Sequence, residues 1–211
     1  MGTSSDIAWA AGPEAVPPLG PTATRKPAGA AAPALLAEAR LVERARTDAQ
    51  AFAELYRLHQ PVITAFVRRR LGSGPAAEDA VAETSVAALE NLPRFEARGV
   101  PFRSWLYRIA LSKVARHVRR VRRADVTSLS EEPAATTTEP DDERVRAARI
   151  ALARLPRRYA EPLSLHYLEG LSVQATAAVL GLAEGTVKAR LSRGRARLRS
   201  QLERLGEGGS R

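Results

Sequence analysis

Residues 171–191 constrain the fold of this chain more than any other stretch. They run from Leu171 through Ala177 and Gly181 to Leu191 and read as two short helices joined by a tight turn. Ser172 is placed to cap the first helix, because its side-chain oxygen can accept from the free amides of the opening turn. The second helix continues through Arg193, Arg195, Arg197 and Arg199, with Val187, Leu191 and Leu198 as its buried side. A helix-turn-helix with a cationic second helix is built to lay that helix in the major groove of duplex DNA. Thr186, Lys188, Ala189 and Arg190 would enter first. Arg193 and Arg197 would follow, to base edges or phosphate. Gly194 lies inside the same helix, where glycine costs about 1 kcal/mol relative to alanine. Close approach to DNA and tolerated drift both fit it, and drift is the simpler reading.

Charge supports a polyanionic partner. The formal net charge is +10, which favours nucleic acid or an anionic membrane surface. Lysine appears only as Lys26, Lys113 and Lys188 among 33 cationic residues. The planar donor fork of arginine suits phosphate and guanine, although a GC-rich genome accounts equally well for the arginine bias. There is no cysteine, so disulfides and thiolate metal sites are excluded. No run of about 18 apolar residues occurs, which argues against membrane insertion. The N-terminus lacks a basic segment followed by an apolar one, so a cytoplasmic location is expected.

The periodicity is helical nearly throughout, and the expected fold class is all-α: two helical domains joined by a flexible linker. Residues 1–33 are rich in Ala and Pro and read as a disordered tail. Residues 34–123 form the first unit. Leu35, Leu36, Ala39, Val42 and Ala45 make one apolar stripe, and Phe52, Leu55, Tyr56, Ile63 and Phe66 the next. Pro61 should kink or divide that second helix. A third helix, about 76–92, should turn Val81, Val86, Leu89 and Leu92 inward. A loop follows from Pro93 to Pro101, and a fourth helix from about Phe102. Residues 124–141 form an acidic, Pro- and Thr-containing linker. Residues 142–205 form the second unit, and 206–211 a short polar tail.

The fourth helix carries Arg103, Arg108, Lys113, Arg116, Arg119, Arg120, Arg122 and Arg123 with no acid among them. Phe102, Trp105, Leu106, Ile109, Ala110, Val114 and Val118 fall on the opposite face. Such a helix can dock on its own bundle and hold a phosphate backbone at once. A membrane surface is the rival partner, but the apolar face is needed for the bundle core. Two basic units on a tether can hold DNA at separate places. The three histidines, His59, His117 and His166, are scattered, and no phosphate-cradling loop or metal-ligand cluster is visible. No catalytic residue, cofactor or metal is therefore expected.

Several segments together resemble the extracytoplasmic-function (ECF) sigma factors of bacterial RNA polymerase. They are residues 52–56, 77–84, 102–110, 152–156, 167–172 and 185–191, in the family's order with a linker between the two units. The resemblance implies a region 2 unit and a region 4 unit without the intervening region 3. It implies that the helix bearing Glu78, Asp79, Val81, Glu83 and Thr84 docks to the clamp of the polymerase's largest subunit, with the flap as a further contact. It implies that the loop and helix bearing Phe95, Arg98, Arg103, Trp105, Arg108, Lys113, Arg116, Arg119 and Arg120 read and open the −10 promoter element. Opening needs a pocket or stacking partners for a flipped base. Phe95 and Arg98 are the loop candidates, and Trp105 fits the core equally well. It further implies that Thr186, Lys188, Ala189, Arg190, Arg193 and Arg197 read the −35 element, and that an anti-sigma factor masks the polymerase-binding faces. The family usually places Leu, Gln and a large aromatic residue where this chain has Ala80, Ala82 and Ser85, so the docking face is smaller and less polar. The alternative function is a stand-alone helix-turn-helix regulator, which leaves residues 78–84 idle.

Overall fold

The computed structural model describes residues 32–96, 100–125 and 143–208. Residues 1–31 of the expected tail (1–33), residues 126–141 of the expected linker (124–141) and the −10 candidate Arg98 lie outside the described residues, whereas 32–33 begin the first helix and 124–125 end the helix that starts at Phe102. All regular structure among the described residues is helical. The first unit holds α1 (Ala32–Ala45), α2 (Ala49–Leu71), α3 (Pro75–Asn91), a single 3₁₀ turn (Leu92–Arg94) and α4 (Phe102–Asp125).

Local chemistry sets these boundaries. Asp48 caps α2 by accepting from the Gln50 amide at 2.8 Å, satisfying one of the helix's free donors. Gly72 ends α2 with φ +79°, a conformation that glycine adopts without steric cost. Pro75 opens α3, where its missing amide is no loss. The helix α2 runs unbroken through Pro61, so that proline does not divide it. The Glu38 carboxylate accepts from the Phe102 amide at 3.1 Å and caps α4 from a distant helix. Arg46 donates to the carbonyls of Pro93 and Phe95 at 2.8 and 2.7 Å, tying down the segment before α4.

Leu55, Ile63, Phe66, Leu106 and Ile109 are fully buried between α2 and α4. Each such side chain contributes roughly 1.5–3 kcal/mol. Two expected stripes differ from what is observed. In α1 the buried residues are Leu41, Val42 and Ala45, whereas Leu36 is 62% exposed. In α3 the inward face is Ala77, Ala80, Thr84, Ala87 and Ala88, and Val86 and Leu89 point outward. Small side chains let α3 lie close against α2 and α4, and the helical period then carries the larger residues away from the core.

The second unit holds α5 (Glu143–Ala153), α6 (Arg157–Leu163), a π-helical turn (Ser164–Leu168), α7 (Val173–Leu180) and α8 (Glu184–Gly208). Its own core is Leu155, Leu163, Ala177, Val187 and Leu191. Ser172 caps α7, accepting from the Ala175 amide at 3.0 Å. Gly181 supplies the left-handed residue (φ +65°) that turns the chain into α8. The last helix extends to Gly208, past the expected end at 205. Gly194 has a packing reason that neither reading of it anticipated. A Cβ there would meet Leu163 Cδ1 at 3.0 Å and Tyr159 Cβ at 3.4 Å. The glycine lets α8 lie close against α6. Thr176 is fully buried, and its hydroxyl has no protein partner.

The two units are also packed on each other. Leu165, Leu171, Ala175 and Val179 join the same buried cluster as Phe66, Tyr107 and Ile109. In this conformation the units do not stand apart as two free heads.

Candidate nucleic-acid interface

On α8, Val187 and Leu191 anchor the helix inward at 0% and 5% exposure. That fixes the rotation of everything else on its first turns. Thr186, Lys188, Ala189, Arg193 and Arg197 are exposed, and Arg190 is half-buried. The structure therefore brings the −35 candidates together on an open face. Sequence reasoning missed two of their neighbours, Arg158 and Tyr159. They line an open cleft of about 630 Å³ with Thr186, Ala189, Arg190 and Arg193. Arg197 lies over the Tyr159 ring at 5.0 Å, and Arg158 at 5.1 Å. The Arg158 hydrogen bond holds the Tyr159 phenol below its usual pKa, helped by the charges of Arg158, Arg197 and Arg193 and opposed by burial. The run Arg157–Arg158 ahead of the helix-turn-helix was the available signal.

The −10 candidates are not brought together in this way. Phe95 and Trp105 are 3% and 4% exposed. Their ring centroids are 4.9 Å apart, and Phe102 lies 5.5 and 5.3 Å from them. Neither ring is presented for stacking on a base, because the three aromatics close the end of α4 against the first unit. Arg103 turns toward the second unit and donates to the Glu169 carbonyl. Lys113 faces Glu83 at 3.7 Å. Arg108 is half-buried, and desolvation lowers its pKa. Arg116, Arg119 and Arg120 are exposed along the far half of α4, and Arg120 sits 3.2 Å from the His117 ring.

On α3, Glu78 and Asp79 are exposed, and Val81 and Glu83 are half-buried. Thr84 is fully buried and its hydroxyl donates to the Ala80 carbonyl at 2.6 Å. It faces the core and is not available to a partner. The outward residues missed on this helix are Val86 and Leu89. Of the departures from the family pattern, Ala80 is buried, Ala82 exposed and Ser85 half-buried.

The family model for sigma-70 region 2 matches residues 55–124, and the model for sigma-70 region 4 matches residues 146–198. The ECF RNA polymerase sigma factor SigD of Mycobacterium tuberculosis is 31% identical over 182 residues, covering 81% of this chain and 85% of that protein. This chain belongs to the ECF sigma factors. The ECF sigma factor BldN of Streptomyces coelicolor is 36% identical over 173 residues, which are 78% of this chain and 64% of that relative. Among solved structures, the sigma factor RpoE in complex with the anti-sigma factor NepR from Bartonella quintana matches with TM-score 0.60 and 28% identity. The match covers 72% of this chain and 96% of RpoE. The first unit is thus region 2 and the second region 4. No helix among the described residues is long and apolar enough to cross a membrane.

Proposed function

We propose that this chain is a promoter-specificity subunit that joins core RNA polymerase, directs it to −35 and −10 elements and supports promoter opening. Region 4 reads the −35 element as duplex through Thr186, Lys188, Ala189, Arg190, Arg193 and Arg197, and Arg158 holds the flanking backbone. Region 2 docks to the clamp of the largest subunit through Glu78, Asp79, Val81 and Glu83, with the outward Val86 and Leu89 supplying apolar area. The exposed cations of α4 hold the DNA near the −10 element. The observation that carries this reading is the face of α8, which sets four exposed or half-exposed cations over a helix locked inward by Val187 and Leu191. Cations that neutralise phosphates supply affinity, and guanidiniums in the groove supply sequence discrimination.

The chain carries no reaction of its own in this role, because bond formation belongs to the polymerase. It works in the cytoplasm, where the polymerase is. The complex of RpoE with NepR supports an anti-sigma factor as the further partner. Run-off transcription with cognate core enzyme tests the proposal. Promoter-dependent product that needs this chain is the expected result. A full yield of product without it, or none with it, overturns the proposal.

A further inference from the structure

The residue before α4 cannot cap it. That residue is Pro101, whose side chain has no oxygen to accept from the free amides of the first turn. The cap comes instead from α1, 64 residues away, where one oxygen of the Glu38 carboxylate accepts from the Phe102 amide at 3.1 Å. A negative charge at a helix N-terminus is favoured by the helix dipole. The other oxygen of Glu38 lies 3.7 Å from His59 Nε2 on α2, and the His59 ring packs on the Phe102 ring at 5.5 Å. The chain leaving α3 is held from the same direction. Arg46, directly after α1, donates from its two terminal nitrogens to the Pro93 and Phe95 carbonyls at 2.8 and 2.7 Å. Glu43, one turn back, lies 3.0 Å from Arg46 Nε and steadies the guanidinium. Between these two anchors the Phe95 ring packs on Trp105 with centroids 4.9 Å apart.

We propose that Glu38 and Arg46 are positioning residues for −10 recognition. From the α1 side they fix where the chain leaves α3 and where it enters α4, and so place the start of region 2's last helix before DNA arrives. Neither touches DNA in this role. The role rests on the function proposed above, because it needs region 2 to read the −10 element, whereas the anchoring contacts do not.

A cap needed for helix stability alone is supplied by a serine or aspartate directly before the helix. A cap imported from α1 makes the placement of α4 depend on α1 as well. Arg46 does the same for the end of α3, and its planar fork suits two carbonyls at once, which a lysine ammonium does not match. Phe95 and Trp105 are buried, so they wedge the start of α4 in place and leave the reading of bases to exposed groups. Groups held in position before a ligand arrives cost less to order when it binds. A hydrogen bond to a base edge spans about 2.7–3.2 Å, so a shift of about 1 Å at the start of α4 is enough to lose it.

Selection from a pool of duplexes randomised over both promoter elements, by cognate core enzyme carrying the full chain, reads the two elements separately. Glu38→Ala and Arg46→Ala are each expected to lower the preference for the −10 bases on the order of tenfold, with the −35 preference unchanged. Glu38→Gln keeps an acceptor oxygen and should retain the parent's −10 preference. In a Trp9→Phe background Trp105 is the sole tryptophan. Its emission should shift to the red in both alanine variants and stay in place in Glu38→Gln. An unchanged −10 preference in both alanine variants overturns the role. So does a parallel loss of both elements, which marks a structural defect. Glu38→Gln as impaired as Glu38→Ala overturns the cap as the cause, and emission unaltered in both alanine variants overturns the anchoring. A parent holoenzyme that selects no −10 element overturns the function proposed above and this role with it. A parent that selects one, with variants that match it, overturns the role alone.

Discussion

Substituting Gly194 by alanine sets two effects of known sign against each other, and the structure decides between them. Alanine is favoured over glycine inside a helix by about 1 kcal/mol. The new Cβ, however, would lie 3.0 Å from Leu163 Cδ1, 3.3 Å from its Cγ and 3.4 Å from Tyr159 Cβ. Carbon pairs are comfortable at about 3.5–4.0 Å. Leu163 is 2% exposed, so the methyl fits only if a buried side chain or the helices themselves give by a few tenths of an ångström. Overpacking of this kind costs about 1–3 kcal/mol. The net expectation is a loss of about 1 kcal/mol. In a unit this small that lowers the midpoint by on the order of 4–8 °C. Gly185 is the internal control, because it lies in the first turn of the same helix with nothing within 4 Å of an added Cβ. Thermal unfolding of the full chain, with hydrogen exchange to locate the change in α6 and α8, is the assay. Gly194→Ala should fall and Gly185→Ala should hold or rise slightly. Equal stabilisation by both would show that α6 and α8 have slack, and the packing argument for Gly194 would be wrong.

Thr176→Val removes a buried hydroxyl that lacks a protein partner while keeping the shape. It should stabilise the chain by about 1 kcal/mol, read as a raised urea midpoint, and a lowered midpoint would mean the hydroxyl is bonded after all. His59 is held below its ordinary pKa by desolvation first, with Arg103 adding to the effect and Glu38 opposing it. The unfolded chain then takes up the proton more readily than the folded one. Stability present above about pH 6.5 should be lost as pH falls through the folded value, and His59→Gln should flatten that slope in unfolding curves. Arg193→Ala should weaken −35 duplex binding by about 1–3 kcal/mol if the guanidinium reads a base. An equal loss on scrambled duplex would reassign it to phosphate.

The parts of this molecule legible in its sequence are those whose determinants are local. The rotation of α8 follows from Val187 and Leu191 at helical spacing, and the inward face of α4 from Phe102, Leu106 and Ile109. Ser172 as a cap needs only the residues beside it. What escaped the sequence depends on partners far along the chain. Val86 and Leu89 read as core because they are the larger apolar residues of α3, yet a close helix contact selects alanine for the inside and leaves them outward. Phe95 read as a loop residue for a base because its cover, Phe102 and Trp105, comes from the next element. The charge run on α4 is the most instructive case. Eight cations without a local acid imply an anion, and spacing says nothing of where that anion resides. For Lys113 it is Glu83 on the neighbouring helix. Arg103 instead donates to a neutral acceptor, the Glu169 backbone carbonyl, and Arg116, Arg119 and Arg120 are exposed. The cations of α8 are mostly exposed too. The same physical rule is thus met inside the fold for one cation of α4, while much of both basic helices is open to a partner. A run of like charges in a sequence therefore marks the need for an anion, and only the folded contacts say whether the chain itself supplies it.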